Sequence, residues 1–427
     1  MTSSVADLLL SRRFGPLFAT QFLGAFNDNL LKSALGVLAA YRLAERSGID
    51  AGALAMLAGA LFIAPFVLFS GAAGTLADRI DKSRIARGVK LAEIVIMLFG
   101  GAALVMENLP ALLAALFLLG LHSTVFGPVK YALLPQHLAD ADLVAGNALV
   151  DAGTFLAILL GTLLGSALIL ASGGAAWVGA IGVGAAIVGW IAARALPPAT
   201  PLDPAAVPRP RLLADGVAVI RHVAGDAALR GPILALSWFW ALGGAVVAGL
   251  PVLARDTLGT DESAVTLMLA IFALGVGAGS MLANRVLGGS VTARPVPWAG
   301  LAMAACALVV AAGAGQAPES PVPLAEALAR TATWRFLAAL AGLAIAGGVF
   351  AVPLYAVLLR RSDAAHRARV IAANNIVNAL AMIVISLGAA ILLGSGWSMP
   401  GVIGLCGLVT LAVTGACTRF APGPRAR

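Results

Sequence analysis

Runs of about twenty apolar residues, separated by glycine, proline or short charge clusters, recur from one end of the chain to the other. A helix that crosses a bilayer needs about 20 mostly apolar residues. On that measure the pattern predicts twelve spans, near 14–41, 51–75, 86–107, 110–134, 143–172, 176–195, 229–254, 263–287, 296–314, 333–359, 370–394 and 399–418. One stretch is too polar to cross. "LPPATPLDPAAVPRP" reads as a proline-rich linker, and "RLLADGVAVIRHV" after it as an amphipathic helix able to lie along the inner membrane surface. Together they fill 196–225 and separate a six-helix bundle over 1–195 from a second over 226–427. Arg12 and Arg13 lead into a run too long for a signal-peptide core, with no small-residue cleavage site, so the first span is expected to stay in the protein.

The two sets of spans repeat each other in order. "GAAGTLADRI" (71–80) pairs with "GAGSMLANRV" (277–286), and "VAGNALVD" (144–151) with "IAANNIVN" (371–378), which sets Asn147 against Asn374 and Asp151 against Asn378. "FGPVKYALL" (126–134) pairs more loosely with "FAVPLYAVL" (350–358), and "GPLFA" (15–19) with "GPILA" (231–235). Each pair occupies the same ordinal span and the same predicted membrane face. Parallel repeats related by an axis along the membrane normal are the layout of the two halves of major facilitator transporters.

Composition agrees with a bilayer: 60% of the residues are hydrophobic and 11% charged, where soluble domains carry roughly 25% charge. The net charge of +8 orients the chain and meets anionic lipid, so no nucleic-acid partner is needed to explain it. Bases gather on the segments that share a side with Arg12 and Arg13. They include Arg79, Lys82, Arg84, Arg87 and Lys90 after the second span, Arg209, Arg211 and Arg221 in the linker, and Arg360, Arg361, Arg367 and Arg369 after the tenth. The opposite side keeps Arg42, Arg46, Arg255, Arg330 and Arg335, which leaves Lys32 and Lys130 as the bases within spans. This asymmetry places both termini in the cytoplasm.

"GTLADRIDKSR" (74–84), between spans two and three, resembles the major facilitator loop signature at Gly74, Leu76, Ala77, Asp78 and Arg79. Lys82 keeps the charge of a signature arginine, Asp81 replaces its second glycine, and Arg84 stands one place beyond its last basic residue. The resemblance implies an all-α membrane protein of twelve helices in two pseudo-symmetric bundles, with this loop (Gly74, Asp78, Arg79, Lys82, Arg84) as a gating latch at the cytoplasmic face. Asp78 is then expected to hold a basic partner and the end of a helix from the other half. A generic turn with solvated charges is the other reading.

Within the first span, "FNDNLLK" (26–32) puts Asp28 and Lys32 at mid-membrane depth. On an isolated helix each costs about 2.5–3.5 kcal/mol there, so their presence requires a wet or paired location. At helical spacing Gln21, Ala25, Asp28 and Lys32 share one stripe with Asn29 beside it, and the i, i+4 order of acid and base favours an ion pair. The stripe reads either as a recognition site for a polar or zwitterionic group lining a cavity between the halves, or as a buried pair that only fixes packing. "RRFGPLFATQFLGAFNDNLLK" (12–32) and "FGPVKYALLPQ" (126–136) further resemble the first and fourth spans of the lysophospholipid transporter family.

That resemblance implies a flippase of the bacterial inner membrane, moving lysophosphatidylethanolamine-type lipids from outer to inner leaflet by alternating access. A separate acyltransferase on the cytoplasmic side would re-acylate them. Asp28 would receive the headgroup ammonium and Lys32 or Lys130, next to Tyr131, the phosphate. Trp238 with Trp240, and Asn147, Asp151, Asn374 and Asn378, are further candidates to line the path, although inter-helix hydrogen bonding explains the Asn and Asp set equally well. The rival reading is a proton-coupled antiporter of a small amphiphile or drug with Asp28 as the proton site.

No enzyme constellation stands beside these signals. His137 and Asp142 fit an H-x4-D spacing but lie in a short loop without a soluble domain. His122, His222 and His366 have no ligand-spaced partners, so no metal or other cofactor is expected. No G-x4-G-K-[ST] phosphate loop occurs. Cys306, Cys406 and Cys417 lie apart in apolar spans and read as packing residues.

Overall fold

The computed structural model describes residues 5–43, 46, 48, 51–201, 211–260, 262–313 and 322–419. The proline-rich stretch 202–210, with Arg209, and the basic tail 420–427 lie outside the described residues. Twelve long helices follow in order: α1 (Gly15–Leu38), α2 (Ala51–Arg79), α3 (Lys82–Val105), α4 (Leu109–His137), α5 (Leu143–Ile169), α6 (Gly174–Arg194), α7 (Ala227–Leu253), α8 (Glu262–Leu287), α9 (Val296–Ala312), α10 (Thr331–Arg361), α11 (Arg367–Gly394) and α12 (Met399–Cys417). Ten of these are long and apolar enough to cross a bilayer. The other two are α1, which carries the polar cluster, and α9, which is shorter. The chain is an all-helical multi-pass membrane protein.

Local chemistry sets the helix starts. The Asp81 carboxylate accepts from Ser83 N at 2.8 Å and opens α3, while Asn108, Asp226 and Ser398 cap α4, α7 and α12 in the same way. Pro16, Pro110, Pro297 and Pro400 sit in first turns, where a missing N–H costs nothing. Irregularities recur at equivalent places in the two repeats. α1 and α7 both end in a π-helical turn, over Ala39–Leu43 and Ala254–Leu258. A single 3-10 turn precedes both α5 and α11, over Asp140–Asp142 and Ala364–His366.

The described residues form two compact units, one of 1–146, 156–225 and 362–376 and one of 147–155, 226–361 and 377–427. In the first, α3 packs on α6 and α4, α2 on α4, and α1 on α6 and α4. In the second, α9 packs on α12 and α10, α8 on α10, and α7 on α12 and α10. Adding six to each helix number turns one set into the other, so the sequence repeat is also a packing repeat. After α3, Glu107 takes a positive φ of 47°, rare for a residue with a side chain. Its carboxylate is gripped by Arg42 at 2.8 Å and by Arg46, and these guanidiniums hold it below the ordinary carboxylate range.

The loop between α2 and α3 is fastened within the first unit. Gly74 lies so close to the start of α11 that a Cβ would stand 2.6 Å from Ala372 Cβ and 2.9 Å from the Ala368 carbonyl. Asp78, 2% exposed, accepts from the backbone N–H of Ala368 at 2.9 Å and of Arg369 at 3.2 Å, and from Arg369 Nε at 3.0 Å. A carboxylate thus caps the N-terminus of a helix from the second repeat and holds its guanidinium. Lys82 is buried beside it, Arg79 is half-buried and Arg84 is exposed. Asp78→Ala strands those donors and is expected to lower the unfolding free energy in detergent by roughly 2–3 kcal/mol. A melting temperature equal to wild type would contradict this.

The linker begins against the same loop: Arg87 donates to the carbonyls of Ala193 and Leu196, and Ala199 N donates to Asp81. An amphipathic helix, Leu212–Gly225, then buries Val219 and Val223. It meets α2 where Gly71 lies against Gly216.

Candidate functional site

The polar stretch of α1 sits inside the first unit. Asp28 is 8% exposed. Its Oδ2 accepts from Ser123 Oγ on α4 at 2.5 Å, and its Oδ1 is buried with no protein partner. Lys32, expected to pair with Asp28, does not reach ion-pair distance. Its ammonium lies 5.4 Å from the centre of the Phe62 ring, and the residue as a whole is half-buried. Two causes combine. Ser123 already holds the carboxylate, and an aromatic face on α2 offers the lysine a neighbour that costs less desolvation than a contact pair. Asn29 turns back to the Ala25 carbonyl at 2.8 Å, and Gln21 is buried about two turns earlier.

A second cluster, absent from the sequence reading, lies next to the first. Lys90 and Glu93 on α3 are both fully buried, with Lys90 Nζ 2.5 Å from Glu93 Oε2. Lys90 therefore belongs to the helix interior, not to the loop bases with which the charge count placed it. Glu93 Oε1 accepts from Asn27 Nδ2 on α1 at 2.7 Å, and His122 Nε2 on α4 stands 3.1 Å from Oε2, close enough for a charge contact though not aligned as a hydrogen bond. Lys90 Nζ also faces the Phe126 ring at 5.2 Å. His122 Nδ1 is 3.5 Å from Ser123 Oγ, so a polar chain runs Lys90, Glu93, His122, Ser123, Asp28 across three helices.

Backbone proximity makes this possible. A Cβ on Gly24 would sit 2.4 Å from Lys90 Nζ, so the ammonium takes its present place against α1 because no side chain stands there. Buried charges in such surroundings persist only when paired and hydrogen-bonded. Glu93 meets that condition fully, whereas Asp28 keeps one acceptor over.

The remaining candidates have local partners. Lys130 Nζ lies 5.0 Å from the ring of neighbouring Tyr131. In the second unit Ser237 Oγ donates to Asn378 Oδ1 at 2.7 Å, Trp238 Nε1 to Thr410 Oγ1 at 2.9 Å and Trp240 Nε1 to Tyr355 OH at 2.8 Å. Trp240 also stacks on Phe155 with centroids 5.8 Å apart. Asn147 and Asp151 are buried on α5 within the second unit, and Asn374 is buried on α11 within the first. Among the described residues no group of three or more His, Cys, Asp or Glu is placed to hold a metal ion.

The comparisons with known proteins bear on this geometry. The family model described as Major Facilitator Superfamily matches residues 17–324. The proteins named lysophospholipid transporter LplT from Yersinia pestis (strain Pestoides F) and Yersinia pseudotuberculosis serotype O:3 (strain YPIII) are each 28% identical over 362 residues, 83% of this chain and 80% of theirs. Among solved structures, the transporter FucP in the outward conformation aligns with a TM-score of 0.72 at 12% identity, covering 96% of this chain and 99% of that one. A bacterial homologue of the iron transporter ferroportin aligns at 0.70 and 12%, covering 95% and 99%. At such identities the two structures speak for the fold alone.

Proposed function

Because the chain belongs to the Major Facilitator Superfamily and is a membrane transporter rather than an enzyme, we propose that it moves lysophospholipids, of the lysophosphatidylethanolamine type, from the outer to the inner leaflet of a bacterial inner membrane. The observation that carries this reading is Asp28 Oδ1: an acceptor without a protein partner, buried near the middle of α1. A carboxylate only accepts, so a hydrogen-bond donor completes it, and the ammonium of a phosphoethanolamine headgroup is a donor that also brings the balancing charge. Lys32, one turn away on α1 and over the Phe62 ring beyond ion-pair distance of Asp28, is the partner for the phosphate; Lys130 is the second candidate. The similarity to proteins named lysophospholipid transporters supports the same substrate class.

Two units built on one packing repeat support alternating access, and the Asp78 grip on the start of α11 supports a latch role for the loop after α2. The asymmetry of basic residues supports cytoplasmic termini. Delivery to the inner leaflet would hand the lipid to a separate acyltransferase there.

The test is a vesicle assay. Labelled lysophosphatidylethanolamine supplied in one leaflet is expected to become protected from a membrane-impermeant quencher only when the protein is present, with diacyl phosphatidylethanolamine moved poorly. Equal movement of both lipids, or movement only of a soluble amphiphile, would reject the assignment.

A further inference from the structure

We propose that the second unit carries a phosphate site: Arg330, Arg335, Thr257 and Thr333 line a cavity that takes a singly charged phosphate group, whether free or at the head of a lipid. The site shares no residue with the Asp28 cluster and does not depend on the transport reading.

The cavity, of about 140 Å3, opens where α7 and α9 end and α10 begins. The π-helical turn after α7 supplies Thr257, the end of α9 supplies Val309, and the start of α10 supplies Thr333, Arg335 and Phe336, with Arg330 just before it. Backbone bonds fix the wall at Thr257. Gly259 takes a φ of 62°, a conformation that favours glycine, and the chain turns so that Thr260 N donates back to the Ala254 carbonyl at 3.0 Å. Val322 N then donates to the Gly259 carbonyl at 2.8 Å.

Charge sets the sign of the occupant. Arg255 is paired with Asp256 at 2.6 Å, and Arg330 shares one guanidinium nitrogen with Glu326 at 3.2 Å. Among the described residues Arg335 has no ion pair, and the first turn of α10 contains no acid. One positive charge is therefore left over, at the N-terminal end of a 31-residue helix whose dipole adds to it. The end of α9 brings only the opposite partial charge, without an acidic side chain.

The donors narrow the class of anion. Each guanidinium is a planar fork of N–H groups that matches an oxyanion. Thr257 is 5% exposed, and its hydroxyl is buried at the cavity wall without a partner. An entering oxyanion supplies the missing acceptor. Depth then favours phosphate: Trp334, in the same first turn of α10, is exposed while its indole N–H donates to the Leu328 carbonyl at 2.8 Å. Exposed tryptophans near the ends of spanning helices sit at headgroup level, where lipid phosphates lie. Val309 and Phe336 give the same cavity an apolar side suited to an acyl chain.

The experiment is thermal melting of the purified full-length protein in dodecyl maltoside, with inorganic phosphate, with dihexanoylphosphatidylglycerol, or with sodium chloride at matched ionic strength. A ligand that binds only the folded state raises the melting temperature. A rise on the order of 2–4 °C near saturation is expected from at least one phosphate probe, and none from chloride. The Arg330→Gln, Arg335→Gln double variant is expected to need at least roughly tenfold more of that probe for the same rise, because charge-assisted hydrogen bonds are lost. A rise with the lipid alone assigns the site to headgroups; a rise with inorganic phosphate shows that the free ion suffices. The proposal is overturned if neither phosphate probe acts, if chloride reproduces the rise, or if the double variant responds like wild type. Should the double variant fail to fold, Thr257→Val decides. It is expected to melt at or above wild type without phosphate, since a buried unpaired hydroxyl is gone, yet to need more probe. An unchanged response there overturns the proposal as well.

Discussion

Asp28→Asn is expected to reduce movement of labelled lysophosphatidylethanolamine between leaflets to near the level of protein-free vesicles, with the protein still folded. Asparagine has nearly the volume of aspartate, and its side-chain oxygen can still accept from Ser123, so the packing of α1 against α4 has little reason to change. What disappears is the charge that a headgroup ammonium would meet. Removing one partner of a buried ion pair costs about 2–5 kcal/mol, or at least about 30-fold in loading. Thermal stability is expected to hold or rise, since a buried carboxylate with an unused oxygen is itself a burden on the fold. Transport at the wild-type rate in a well-folded Asn variant would remove the headgroup assignment. A simultaneous collapse of melting temperature and transport would return Asp28 to a packing role.

Much of this architecture is legible in the sequence because a bilayer imposes a length. All twelve predicted spans correspond to helices, several with ends a few residues off. Those displacements have local causes: Asp81 starts α3 four residues before the predicted position, and α2 runs on through Asp78 and Arg79 because the grip of Asp78 on α11 makes their burial tolerable. Repeats were readable for a related reason, since side chains at equivalent positions meet equivalent neighbours.

Partner choice is another matter. Helical spacing puts Asp28 and Lys32 on one face, but spacing carries no information about Ser123 or Phe62, which decide where each side chain goes. The cluster on α3 escaped for a different reason. A count of bases assigns Lys90 to the nearest loop, and acids do not enter that count at all, so Glu93 passed unseen. The available signal was Lys90 and Glu93 at i, i+3 inside an apolar run, the same kind of pairing that drew attention to α1. His122 has no ligand-spaced partner in the sequence, and its contact with Glu93 comes from a helix distant along the chain.

Glu93→Leu is expected to be among the most damaging single changes in the first unit, and the Lys90→Met, Glu93→Leu double variant to recover much of the loss. With Glu93 removed, the Lys90 ammonium is left fully buried by the Phe126 ring with no carboxylate in contact with it. Breaking a buried pair in this way costs about 3–5 kcal/mol, whereas replacing both charges by apolar side chains of similar size is often neutral or stabilising. Thermal melting of the four proteins of this cycle measures the coupling directly. If the single variant melts with the wild type, the two charges are not coupled as their 2.5 Å separation implies. The double variant separates stability from transport. Without Glu93, His122 Nε2 and Asn27 Nδ2 both lose the carboxylate they face, so the surroundings of Asp28 change even in a fully stable protein. A double variant that melts like wild type yet fails to move labelled lysophosphatidylethanolamine would show that these buried charges are kept for the site they adjoin and not for the fold they occupy.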